Sequence, residues 1–309
     1  MTTAKIGAWF LTDAGKKFCY YSAGTATLGV LCATFLPHTL LLNQYKDIIQ
    51  LYKNGISVPL STKLQERFQK AIDLVEIDPQ DRHLYQPFFY CGFDITSIGS
   101  SYSRFGVLVG LPANFAYENV DMVDKSKLKV NQNEVVWDSE DGQKLLNSLV
   151  LSENAQLYAM AREIQFRNTP KPLLDTMIGT TSCILTYSLS NHINSKFNFY
   201  AKPRGLRVAL YALVGLFSFG VYAMCKDVSQ MYYESSIDRE LKQKSELLAE
   251  GGKEYYSKIL ERNQSIRKLM GKEGEKLYSI LGNENYLFRN KHLPIVQRKS
   301  FFDEPLSIS

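Results

Sequence analysis

The sequence predicts an α+β membrane protein: about three transmembrane helices, a mixed α/β soluble domain and a helical C-terminal part. Three observations predict it. Val208 to Cys225 is an uncharged, mostly apolar run, and the loop before it carries Lys196, Lys202, Arg204 and Arg207 with no acid. A second uncharged run fills Phe18 to Leu36, behind Lys16 and Lys17. Yet the mean hydropathy of the 309 residues is −0.19, so substantial watery parts accompany the spans.

Taken in order, residues 1–17 form a lysine-bearing N-terminal segment and 18–36 the first span, ended or kinked by Pro37. Small residues recur four apart in that span (Ser22 with Ala26, Ala23 with Thr27, Gly29 with Ala33), a spacing that lets helix backbones approach in lipid. Residues 43–172 read as a soluble α+β domain. Ser61 caps a helix with Leu64, Phe68, Ile72 and Val75 on one face. Phe88 to Phe93 and Val107 to Leu111 read as strands, with Val135 to Trp137 a short third. Asp138 or Ser139 opens a helix through Leu149, and Ser152 opens another to about Phe166.

Residues 176–195 form the second and most polar span, with Thr176, Thr180, Thr181, Ser182, Asn191, His192 and Asn194. These groups are expected to face other helices rather than lipid. Residues 196–207 are the basic loop and 208–225 the third span. At 1.5 Å per residue that run makes a helix of about 27 Å, against a hydrocarbon core roughly 30 Å thick. It is apolar on all sides, unlike a core helix with one polar face, and Gly215 and Gly220 offer points of close approach. Residues 226–309 read as a helical C-terminal region, broken at Gly251-Gly252 and trailing into a loosely ordered last 40 residues.

Basic loops stay on the side from which helices are inserted. Placing 196–207 inside also places Lys5, Lys16 and Lys17 inside, and an odd span count puts 43–172 and 226–309 together on the far side.

The net charge of +5 is not gathered into a basic block interleaved with aromatics, so nucleic-acid binding is not expected. The five cysteines, Cys19, Cys32, Cys91, Cys183 and Cys225, form no paired motif, and the four histidines are scattered. No metal, cofactor, catalytic residue or small-molecule substrate is assigned.

Four stretches together, VGLPANF (109–115), LSENAQLYAMARE (151–163), LMGKEGEKLY (269–278) and LFRNKHLP (287–294), resemble the transmembrane protein 177 family of the mitochondrial inner membrane. The resemblance covers nearly the whole chain. It implies a multi-pass, non-enzymatic, chaperone-like factor in complex IV biogenesis. Its implied partners are cytochrome c oxidase subunit II, whose early maturation it helps, and the inner-membrane chaperone that holds that newly made subunit. N-terminus and hairpin loop then lie in the matrix, and the soluble parts in the intermembrane space. Lys272, Lys276, Arg289, Lys291 and His292 make the last two stretches a candidate docking segment.

A second pattern is similar to a degenerate membrane zinc peptidase. In such enzymes an H-E-x-x-H helix supplies two imidazoles and a general base, and a later helix supplies a third ligand. Here Arg162 and Phe166 stand in the histidine positions, Ser236 in that of the third ligand, and Glu163 alone remains. The expectation is a pseudoenzyme that binds extended polypeptide, with Val107–Leu111 and its neighbours offering an edge for pairing, and with the helices of Glu163 and Asp238 side by side.

Overall fold

Polar caps start the helices close to where the sequence places them. In the computed structural model, which describes residues 9–126, 128–130 and 133–304, the Thr12, Ser61, Ser139 and Ser152 hydroxyls accept from backbone N–H groups three residues on. Expectations for residues 1–8, including Lys5, and for the end of FFDEPLSIS lie outside the described residues. The chain divides into two units, one running to His38 and resuming at Pro170–Ser229, the other comprising Thr39–Thr169 and Gln230 onward.

The first unit holds helices α1 (Asp13–Phe35), α6 (Lys171–Lys196) and the first part of α7 (Arg204–Lys244). Among the described residues, the helices containing the first and third expected spans are long and apolar enough to cross a membrane. The intervening α6 is long enough but too polar to qualify by composition, so two candidate spans stand where three are expected. Its polar groups do not all face another helix as expected: Thr181, Asn191 and His192 are exposed. Ser182 donates to the Ser218 carbonyl at 3.3 Å and Asn194 to the Tyr211 hydroxyl at 2.6 Å, both on α7. Thr176, Thr180 and Thr186 instead bond back to carbonyls of their own helix.

Of the small pairs on α1, Ala23 and Thr27 lie on the half-buried stripe with Val30, while Ser22, Ala26, Gly29 and Ala33 are exposed. Helix α1 packs on α6, and the close approach is made from α6: a Cβ on Gly179 would sit 3.0 Å from Val30. Gly215 and Gly220, expected to admit a neighbour, have nothing within 4 Å.

The second unit joins the two watery portions around one core. From the middle portion come α2 (Leu42–Ile49), α3 (Thr62–Val75), β3 (Tyr85–Tyr90), β4 (Thr96–Ser100), β5 (Gly106–Pro112), α4 (Glu140–Leu149) and α5 (Glu153–Arg167). Two short hairpins accompany them, β1 (Tyr52–Lys53) with β2 (Ile56–Ser57) and β6 (Lys129–Val130) with β7 (Asn133–Glu134). From the C-terminal portion come the end of α7, α8 (Glu246–Leu269), α9 (Lys272–Leu277) and α10 (Ile295–Asp303). Leu64, Phe68, Ile72 and Val75 are all buried, as their spacing predicts, in a core shared with Leu157, Met160, Leu241, Tyr256 and Phe302.

The sheet order is β3-β5-β4, parallel between β3 and β5 and antiparallel between β5 and β4. Val107–Leu111 is therefore the central strand, bonded on both sides, and not an edge. The outer strand β4 carries little strand signal in TSIGS. It forms because Gly99, at φ +101°, lets the backbone come against Gly106, where a Cβ would meet the carbonyl oxygen at 2.2 Å. Val135 to Trp137 is not a strand: the Ser139 hydroxyl and N–H both bond to the Val136 carbonyl, turning the chain into the start of α4.

Two expectations for the C-terminal portion are overturned. The helix does not break at Gly251-Gly252 but at Ser245, and the glycines sit inside α8. A Cβ on Gly251 would lie 2.2 Å from the Asn154 carbonyl oxygen and one on Gly252 2.5 Å from the Phe302 ring, so both serve close packing. Nor is the described part of the last 40 residues, up to 304, a loose tail: Arg298, Phe301 and Phe302 of α10 are buried.

Gly→Ala within a helix ordinarily stabilises by about 1 kcal/mol. Gly251→Ala is expected to do the reverse, lowering the thermal midpoint of the detergent-solubilised full chain, while Gly215→Ala, with open space around it, does not lower it.

Candidate functional site

A concavity rich in charged side chains lies wholly within the second unit. It is a cleft of about 630 Å³ bounded by the chain entering β4, by α5, by the polar end of α7, by α8, and by the segment from Ser279 to Arg298. Each wall follows from the local sequence. Ser152 caps α5 and points its far turn, with Arg162, Glu163, Phe166 and Arg167, at the cleft. Helix α7 loses its apolar character after Cys225 and offers Gln230, Glu234 and Ile237.

Under the cleft lies Asp238, 0% exposed. Its carboxylate accepts from Arg298 Nε at 2.7 Å and Nη2 at 2.9 Å, from the Tyr158 hydroxyl at 2.7 Å and from the Tyr256 hydroxyl at 3.1 Å. Burial and the neighbouring Asp238 charge push the Tyr158 hydroxyl well above its ordinary pKa, so it stays a proton donor. Burial opposes the Arg298 charge, but the Asp238 carboxylate outweighs it and holds the guanidinium ionised.

Glu163, the surviving member of the peptidase-like pattern, is buried and fully engaged. Ser97 donates to one oxygen and Arg162 to the other, at 3.1 Å from Nε and 2.6 Å from Nη2. The Arg162 guanidinium also lies 5.4 Å from the centre of the Tyr255 ring. Phe166 lines the cleft, whereas Ser236 is exposed and does not, so the expected third-ligand position turns away. Among the described residues, no group of three or more His, Cys, Asp or Glu side chains is arranged to hold a metal ion. The helices of Glu163 and Asp238 do lie side by side: the Tyr158–Asp238 bond joins them, as does a 2.8 Å bond from Gln165 to Glu240.

Glu234 opens the stretch 234–239 that the peptidase-like pattern matches around Ser236, but that pattern gives it no role, and the structure makes it a cleft residue. His292 Nδ1 lies 2.6 Å from its Oε1, Gln230 donates to the same oxygen at 2.8 Å, and the Leu293 N–H donates to Oε2 at 2.9 Å. Burial alone would raise the Glu234 pKa. The His292 bond and the Arg298 charge, whose Nη1 is 3.8 Å away, reverse that and hold it at about 2. His292 falls in LFRNKHLP, expected as part of an exposed docking segment rather than as a cleft group. Of the other residues in that segment, Lys276 pairs with Glu273 at the surface.

The lining charges balance: Arg162, Arg167, Arg262 and Arg298 against Asp94, Glu163, Glu234 and Glu284, with Arg262 gripping Asp94 through both terminal nitrogens at 2.7 and 3.1 Å. Such a surface suits uncharged polar groups better than phosphate or free carboxylate.

A family model described as Transmembrane protein 177 matches residues 90–298. The chain belongs to the transmembrane protein 177 family. Transmembrane protein 177 of Homo sapiens is 32% identical over 254 residues, covering 82% of this chain and 81% of that protein. Its Xenopus laevis counterpart is 29% identical over 297 residues, 94% of each. No solved structure matches. The span matched to the transmembrane protein 177 family takes in every charged residue of the cleft, from Asp94 to Arg298. Its membership, with two helices fit to span a bilayer, makes this a membrane protein.

Arg298→Met, which strands the Asp238 carboxylate, is expected to cost about 3–5 kcal/mol, and Arg298→Met with Asp238→Leu distinctly less; urea unfolding of the single and double variants checks this. Because the Glu234 pKa is depressed from 4.5, its stabilisation is complete above that value and disappears as pH falls towards about 2. The stability gap between wild type and Glu234→Gln is therefore expected to close on acidification, read as thermal midpoints across the acid range.

Proposed function

We propose that this chain is a non-enzymatic assembly factor of the mitochondrial inner membrane. In this reading it holds newly made cytochrome c oxidase subunit II, together with that subunit's membrane chaperone, during early maturation. The observation that carries the holding role is the cleft. It is large and polar, and Asp94, Glu163 and Glu234 are tied to an arginine, a serine or a histidine, while Glu284 accepts from the Tyr286 hydroxyl. A general base needs an open position beside the proton it takes, and Glu163 has both oxygens occupied.

The three-span topology belongs to the same reading. Helix α6 has its Ser182 and Asn194 turned to α7, which supports its insertion as the polar half of a hairpin. The N-terminus and the 196–207 loop then lie in the matrix, and the second unit with its cleft in the intermembrane space. The single core shared by 39–169 and the residues from 230 onward supports this arrangement, because both portions must then lie on one side.

A second reading is favoured by one observation, the adjacency of the Glu163 and Asp238 helices beside the cleft. On it, the chain is a catalytically inactive relative of membrane zinc peptidases that binds polypeptide clients. Metal analysis of the purified full chain distinguishes an active peptidase, since stoichiometric zinc would contradict both readings.

Crosslinking in intact mitochondria, with tags at either end and protease protection, tests the assembly role and topology together. The expected result is adducts with subunit II and its chaperone, and a C-terminal tag digested once the outer membrane is opened. A tag protected until the inner membrane is lysed, or the absence of both adducts, would refute it.

A further inference from the structure

Beside the cleft, the chain displays large apolar side chains where turns ordinarily carry polar ones. Residues 277–285 form a tight hairpin: the Asn285 N–H donates to the Leu277 carbonyl and the Ser279 N–H to the Asn283 carbonyl, each at 2.8 Å. Ile280 and Leu281 occupy its tip, 77% and 59% exposed. In the loop that follows, Leu287 and Phe288 are 88% and 92% exposed. Four such side chains within a short stretch form a feature that marks an interaction site more often than a chance surface.

This stretch is held in place. Gly282, at φ +88°, lies so close to α8 that a Cβ would meet the Leu260 carbonyl oxygen at 2.7 Å, and the buried Asn263 donates to the Gly282 carbonyl at 2.8 Å. At the other end, His292 and the Leu293 N–H are bonded to Glu234. The same stretch turns polar groups into the cleft, among them Ser279, Asn283, Tyr286 and Asn290. Along one stretch of chain, exposed apolar side chains thus alternate with polar groups that line a charge-balanced cleft.

We infer that this stretch and the cleft together bind an extended, uncharged polypeptide segment carrying large apolar side chains. The main chain lies against the polar interior, and the apolar side chains pack on Ile280, Leu281, Leu287 and Phe288. A polypeptide is the occupant because its backbone needs donors and acceptors without net charge, which is what the paired arginines and acids leave available. An anionic lipid headgroup would need unpaired positive charge there. The inference rests on the reading of the protein as a holder of client polypeptide, and it names the surface and the chemistry recognised.

The test uses the purified full chain in nanodiscs and a fluorescent peptide of alternating leucine and serine, read by anisotropy. Binding is expected for the wild type and is expected to weaken by about tenfold or more, equivalent to roughly 1.4 kcal/mol, in the double variant Leu281→Asp with Phe288→Asp. Asn290→Trp, which fills the cleft from its lining, is expected to weaken it as well. Unchanged thermal midpoints establish that the variants are folded, and substitutions at alternative exposed positions, Ile280→Asp and Leu287→Asp, replace any that is not. A matching peptide with aspartate in place of leucine is expected not to bind. Equal binding by wild type and folded variants would overturn the inference. So would quenching of a Phe288→Trp variant by brominated lipid, which would assign the apolar loop to the bilayer. If the variants lose the peptide while subunit II adducts are absent even from wild type, the assembly reading fails and the inference stands. If those adducts persist in the folded double variant, the inference fails and the assembly reading stands.

Discussion

Four helices meet on one carboxylate that water does not reach. Asp238 of α7 takes hydrogen bonds from Tyr158 of α5, Tyr256 of α8 and Arg298 of α10, so one buried charge fixes elements 140 residues apart in the chain, from 158 to 298. A buried charge left unpaired costs several kcal/mol, and this arrangement is tolerated only with all its donors in place. It therefore specifies position strongly: α10 cannot slide or detach without exposing Asp238 to an empty apolar site. The placement of α10 in turn brings the preceding segment, with His292 and Leu293, across to Glu234.

The cleft inherits its character from this constraint. Arg162, Arg262 and Arg298 are bonded to acids inside it, and Arg167 to the Ser97 hydroxyl and carbonyl. Such a site retains many hydrogen-bonding directions but little net charge. Helix α7 ties this chemistry to the membrane in the simplest way, since it runs unbroken from Arg204 to Lys244. One helix supplies first an apolar stretch and then Glu234 and Asp238.

The elements that were legible in the sequence are those whose signal is local. Leu64, Phe68, Ile72 and Val75 recur at helical spacing behind a serine cap, and nothing distant competes with that pattern. The cleft was legible only in part: Arg162, Glu163 and Phe166, and the stretch beginning at Glu234, were singled out by a motif, while the pairing of Glu234 with an inward His292 carries no local mark. Gly251 and Gly252 misled for a related reason. Glycine disfavours a helix by its own propensity, but here the missing side chains admit the Asn154 backbone and the Phe302 ring, and packing overrides propensity.

By itself, then, the sequence determined where the apolar runs begin and end, that Ser61 and Ser152 open helices, and that the chain is a membrane protein with watery portions of mixed structure. These follow from the solvation of each residue and the hydrogen bonding of near neighbours. Only the tertiary structure decided that the two watery portions are one unit, that Val107–Leu111 is central rather than an edge, and that the last helix is core rather than tail. Those outcomes depend on which distant groups satisfy a buried charge or a backbone edge, and no window of neighbouring residues contains both partners.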